Sequence, residues 1–167
     1  RQIADYSDAL LDTPMAPITL IQGTGLVKDN GKSLSLDAAV GVNFYFKLDA
    51  SVGKPETAEL LFWENVSGEL TLNNVAYTKP LKDFTTEYGA QSEMVPARYL
   101  GNPVYACAHF IDSEGTHHYS DIIVYSPEAY AARKISANQD QNLVNVVKAM
   151  VLYGELADEY FVSTKNN

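Results

Sequence analysis

Residues 42–48 set Val42, Phe44, Phe46 and Leu48 in strict alternation with Asn43, Tyr45 and Lys47. Successive side chains of a strand point to opposite faces, so this pattern demands a strand with one face on a core and one face wet. A helix would scatter the same apolar residues around its circumference. Just upstream, Leu34 and Leu36 alternate with serines, and residues 33–48 as a whole read as sheet.

Other segments keep the same rhythm. In TAELLFWENV, Leu60 and Phe62 share one face while Leu61 and Trp63 share the other. GELTLNNVAYTKP predicts a short strand in which Leu70 and Leu72 alternate with Thr71, and ITLIQGTGLV predicts one broken by Gly23 and Gly25. The Asn-Gly pair of KDNGK is a turn signal. VYACAHFI and HHYSDIIVY flank DSEGT as a hairpin whose loop carries glycine. The stretch after Pro80 is irregular, with room for a short strand at 93–96. Six or seven strands result, and the gaps between them are too short for crossover helices, so the connections are antiparallel.

The chain then turns helical. Ser126 is placed as an N-cap, Pro127 at the first helical position and Glu128 in the positive first turn. After SANQDQN, a long helix from about 141 to 161 carries a stripe of Leu143, Val147, Met150, Gly154, Ala157 and Phe161, widened by Val144 and Val151. Gly154 at its centre allows close approach, and the stripe is expected to seal the sheet interior, leaving Leu152 and Leu156 on the far side. At the other end, Ile3, Tyr6, Ala9 and Leu10 have helical spacing before the prolines of TPMAPI. The predicted fold is mainly β: an antiparallel β-sandwich, immunoglobulin-like or related, with a short N-terminal helix and two C-terminal helices packed against it. Residues 1–16 form the N-terminal helix and linker, 17–125 the sandwich, 126–161 the helical segment of the same domain and 162–167 a tail.

Composition excludes several functions. Twelve basic residues against twenty-one acidic ones give a net charge of −9 with no basic run, which repels a nucleic-acid backbone. No segment has the roughly 18–20 uninterrupted apolar residues that span a bilayer. Cys107 is the only cysteine, so no internal disulfide forms, and its apolar setting VYACAHF marks a small buried hydrophobe. A start at Arg1 without methionine points to a processed or excised piece, with any export signal outside it.

Chemistry-bearing motifs are sparse. HExxH, CxxC, GxSxG and the phosphate-cradling loop are all missing, and GTG at 23–25 is too short for a dinucleotide fingerprint. Glu56, Glu59, Glu64, Glu69, Asp83 and Glu87 are scattered as on an ordinary acidic surface. Adjacent His117 and His118 point to opposite faces, while His109 lies across the hairpin; a two-histidine metal site completed by Asp112 or Glu114 competes with plain strand histidines. Asp29, Asn30 and Asp37 are a weak Ca2+ alternative in a chain otherwise expected to carry no cofactor. The stronger inventory is aromatic. Trp63, Tyr77, Tyr88 and Tyr99 are the candidate ligand-binding residues, a platform for a sugar or peptide, against the competing reading that Trp63 belongs to the core.

Two stretches carry a family resemblance. SLSLDAAVGVNFYFKL resembles the opening strands of a sandwich-plus-helix module of large secreted and cell-surface proteins of Firmicutes. YSPEAYAARKI followed by LVNVVKAMVLYGELADEYF is similar to that module's end, through Val147 to Met150, Tyr153-Gly154 and Tyr160-Phe161. The resemblance covers about residues 33–161, with Pro127 and Glu128 departing from the usual pattern. It implies a sandwich fold and an extracellular, bacterial cell-surface location, and it transfers no catalytic residue.

The expected function is a non-catalytic accessory module that binds carbohydrate or another extracellular ligand, or supports adhesion. The alternative is a structural spacer between functional domains, with a glycoside-active hydrolase more distant. The expected partners are a glycan or extracellular protein and neighbouring modules of the same polypeptide; nucleic acid and a membrane span are not expected. An exposed aromatic patch favours binding, whereas a buried Trp63 and the lack of a groove favour a spacer.

Overall fold

The alternation read at residues 42–48 is realised as drawn: Val42, Phe44 and Phe46 are fully buried, and Asn43 and Tyr45 face outward. The computed structural model describes residues 21–36, 39–64, 66–84 and 87–165. Nine strands are present among them: β1 (Val27–Leu36), β2 (Val40–Leu48), β3 (Thr57–Glu64), β4 (Tyr77–Pro80), β5 (Lys82–Asp83), β6 (Tyr88–Gln91), β7 (Val104–Ile111), β8 (His117–Tyr119) and β9 (Ile123–Tyr125). They form two antiparallel sheets. The first has the order β1-β2-β6-β5, and the second β4-β3-β7-β8, with β9 pairing the other half of β7.

The two sheets share one apolar core. Val42, Phe44 and Phe46 from the first meet Leu60, Phe62, Val104, Ala106, Ala108 and Phe110 from the second, and Phe44 meets Phe62 edge to face at 6.0 Å. The four phenylalanine rings and the valine and leucine side chains buried here are the main stabilising element, each fully buried side chain contributing about 1.5–3 kcal/mol. The outer face of the second sheet carries a second apolar layer, with Leu61, Trp63, Tyr105 and Cys107 covered by Leu70 and Ile122.

Three local expectations are corrected. The Asn-Gly pair makes no turn; it is a bulge inside β1, where Asp29 Oδ1 accepts from Gly31 N at 2.9 Å and Gly31 takes φ 123°. Such a φ strains any side chain with a Cβ, which is why glycine stands there. Residues 70–72 are not a strand: Leu70 turns inward, Leu72 is exposed, and a 3-10 turn at Leu72–Asn74 follows. No strand forms at 93–96; a 3-10 turn at Ala97–Tyr99 follows instead. The helix expected at 3–10 lies outside the described residues.

Two helices complete the chain, α1 (Pro127–Ala137) and α2 (Gln141–Lys165). Ser126 caps α1 by accepting from Ala129 N at 3.0 Å, and Asn138 ends it in the left-handed conformation. Asp140 Oδ1 then accepts from Asn142 N and Leu143 N and starts α2. The buried stripe of α2 is Val144, Val147, Val151 and Gly154, while Phe161 is 43% exposed. The helix also runs past the expected end at 161, its last turn held by Ser163 and Thr164 hydroxyls donating to Tyr160 O.

This helix does not seal the sheet interior as expected. Val147 and Val151 form a separate small core with Ala131 of α1, and α2 packs on the 97–99 turn. A Cβ on Gly154 would stand 2.9 Å from Leu100 Cδ1 and 3.0 Å from Ala97 O, so glycine lets the helix lie directly on that turn. Glu128 N donates to Leu100 O at 3.1 Å and ties α1 to the same place. Burial, with Glu155 nearby, raises the Glu128 carboxyl above the usual carboxylate range.

Candidate functional site

The outer face of the first sheet carries an open groove of about 400 Å3, lined by Asn43, Tyr45, Lys79, Pro80, Lys82, Phe84, Gly89, Ala90 and Gln91. Its floor follows from strand register. Across the sheet, Gly31, Tyr45, Gly89 and Lys82 lie side by side in one row, and Ser33, Asn43 and Gln91 in the next. Tyr45 is thus the one bulky member of its row, flanked by glycines. A Cβ on Gly89 would stand 2.8 Å from Tyr45 Cδ1 and 3.0 Å from Phe84 Cε2, so the bare backbone lets both rings settle over it. Phe84 is 50% exposed and sits on the turn after β5, where its N–H donates to Glu87 O at 2.8 Å.

Polar groups surround these rings. Asn43 Nδ2 donates to Ser33 Oγ at 3.1 Å, which fixes the amide and leaves its oxygen pointing elsewhere. Ser33 Oγ and Tyr45 OH lie 3.4 Å apart. Two cations, Lys79 and Lys82, reach the groove from either side of the place where the chain passes from one sheet to the other. No carboxylate is among the described residues that line it. Aromatic rings, amides and cations on a concave sheet face can stack on a ring-shaped ligand and direct hydrogen bonds to it.

The four aromatics singled out from sequence do not share a surface. Trp63 is fully buried on the outer face of the second sheet, and its indole N–H is shared between Thr71 O at 2.9 Å and Asn74 Oδ1 at 3.0 Å. Tyr77 stacks on Phe62 at 4.8 Å, donates to Glu64 Oε1 and accepts from Glu93 N. Burial first, and the Glu64 hydrogen bond second, push its phenol well above its ordinary value. Tyr88 meets Phe110 edge-on at 5.0 Å and closes the rim of the shared core. Tyr99 lies under the Arg98 guanidinium, 4.3 Å from its ring centroid, beside a small recess it lines with Glu64. Trp63, Tyr77 and Tyr88 are packing residues, so the four do not come together as one platform; the aromatic rings that line the groove are Tyr45 and Phe84.

The histidines pair in a way the hairpin reading anticipates in part. His109 Nδ1 stands 2.8 Å from Glu59 Oε1, and His109 Nε2 2.8 Å from His117 Nδ1. His118 points to the opposite face, where Nε2 meets Asp112 Oδ2 at 2.8 Å. Asp112 also accepts from Glu114 N and Thr116 N, and the His118 contact, with these bonds, holds its carboxyl below its usual value. No group of three or more metal-ligating residues comes together among the described residues. Asp29 is paired with Lys32 at 2.7 Å and Asn30 donates to Glu87 at 2.6 Å; Asp37 lies outside the described residues. Cys107 is buried, and desolvation pushes its thiol up to about 11.

No protein-family model and no curated protein matches the chain. No helix among the described residues is long and apolar enough to cross a membrane. The groove escapes a sequence reading because Gly89 and Phe84 reach Tyr45 only through strand pairing. The available signal was Tyr45 itself, an aromatic on the wet face of the most clearly alternating strand.

Proposed function

We propose that this chain is a non-catalytic extracellular module that binds a saccharide in the groove on its first sheet. The observation that carries the reading is the pair of rings, Tyr45 and Phe84, set over the bare backbone of Gly89 and edged by Asn43 and Gln91. Sugar rings present an apolar face and an equatorial belt of hydroxyls, and this arrangement offers a partner for each. The frame suits the role: two antiparallel sheets over one core, read as a β-sandwich related to immunoglobulin-like folds, hold Asn43, Tyr45, Gly89 and Gln91 on strands, with Phe84 on the turn after β5. With no carboxylate among the described lining residues, none of them offers the acid pair that glycoside hydrolysis uses. A cell-surface location and neighbouring modules of the same polypeptide complete the reading.

The test is a glycan-panel screen followed by titration of the best ligand. Tyr45→Ala is expected to weaken binding by about 2 kcal/mol, as for a central aromatic contact, with an unchanged melting temperature. Flat binding across the panel would overturn the proposal. The second reading, a structural spacer, is favoured by the complete burial of Trp63 and would then stand.

A further inference from the structure

We infer that the saccharide taken by this groove is an acidic one, bearing carboxylate or sulfate groups, and that Lys79 and Lys82 select it. The inference rests on the groove being the binding site proposed above. Its starting point is a contrast of charge. The chain carries −9 overall, yet the described residues that line the groove include two lysines and no acid. Asp83, the adjoining acid, pairs in register with Tyr88 and does not line it.

The lysines are placed by the fold. Lys79 stands in β4, at the edge of the second sheet, and Lys82 in β5, at the edge of the first. Between them, Leu81 is buried in the shared core and its N–H donates to Ala58 O at 2.9 Å. This anchored crossing brings both cations to one wall of the groove. Among the described residues neither forms an ion pair; Lys79 lies 5.6 Å from the Tyr77 ring centroid. A neutral sugar has no need of two ammonium groups beside its stacking rings, whereas a carboxylate or sulfate gains charge-assisted hydrogen bonds from them. Because the protein as a whole repels anions, the attraction has to act at short range, within about one Debye length of 8 Å at physiological salt.

The experiment compares acidic and neutral forms of matched polymers: polygalacturonate against its methyl ester, and dextran sulfate against dextran. The acidic member of at least one pair is expected to bind about tenfold more tightly, the order set by two partly exposed charge-assisted contacts, and which pair responds separates carboxylate from sulfate recognition. Lys79→Gln/Lys82→Gln should abolish that preference without changing the melting temperature, while Lys54→Gln, an exposed lysine outside the groove, should leave it intact. Equal binding of both members, a preference surviving the double substitution, or a matching loss in Lys54→Gln would overturn the inference. Tyr45→Ala distinguishes the two levels: if it abolishes binding while acidic and neutral forms are held equally, the groove stands and the charge selectivity falls. If no polymer and no panel glycan binds, both fall.

Discussion

The two sheets treat their outer faces in opposite ways. On the second, the segment containing Leu70 and Asn74 folds back over Trp63 and Cys107, and the tryptophan's one polar atom is satisfied inside. On the first, Tyr45 lies between glycines with none of the described residues folded across it, and a groove remains. The same residue class therefore plugs one face and furnishes the other. What decides is the neighbouring chain: the connection between β3 and β4 folds back over Trp63 and turns a large aromatic on an outer sheet face into core.

The contrast can be broken most severely at Trp63. Trp63→Ala should cost about 3–5 kcal/mol in urea unfolding, the range for a large buried aromatic, and leave any ligand affinity unaltered in the folded fraction. Next comes the thiol beneath the same cover. Because burial lifts Cys107 from 9.0 to about 11, its thiolate fraction near pH 8 is about a hundredfold lower, and iodoacetamide should label it only on unfolding. Asn74→Ala removes an acceptor shared by the Trp63 indole and Thr71 N and should cost about 1–2 kcal/mol, loosening the cover without opening the core. On the opposite side of the same sheet, at the β7–β8 hairpin, Asp112 gives a pH effect. Its carboxyl is held below 3.8, so its contribution is complete above the ordinary carboxylate range and is lost as pH falls through the lowered value; the Thr116 amide should lose exchange protection there and not at pH 5. Smallest is Tyr45→Ala, expected to change stability by less than about 1 kcal/mol. A large loss at Tyr45, or a small one at Trp63, would reverse the comparison.

Much of the frame was legible because strand alternation is a local signal. Val42, Phe44, Phe46, Leu60 and Phe62 point inward as their spacing requires, and Ser126 and Pro127 begin a helix where capping chemistry places them. What failed was pairing and coverage. The Asn-Gly pair of β1 can make a turn or a bulge, and only its register against β2 chooses. Nothing local to Trp63 says that Asn74 will reach its indole, and nothing local to Tyr45 says that Gly89, 44 positions on, will lie beside it. The groove's cations were equally hidden, since Lys79 and Lys82 meet the aromatic floor only through a strand order that skips from β2 to β6. The long helix shows the same limit: its apolar stripe was visible, but its partner was not, and it settled on the 97–99 turn instead of the sheets.

That choice of partner divides the molecule's cooperativity. Val147 and Val151 are buried with Ala131 of α1 in a core apart from the layers between the sheets, with α1 also touching β1 and β2, so local opening of the helical pair is expected to cost less than opening of the strands. Leu100 is the joint between the two regions, the residue on which Gly154 rests and to whose carbonyl Glu128 is bonded. A fold built this way can loosen at its helices while the paired strands hold Tyr45 and its neighbours in place.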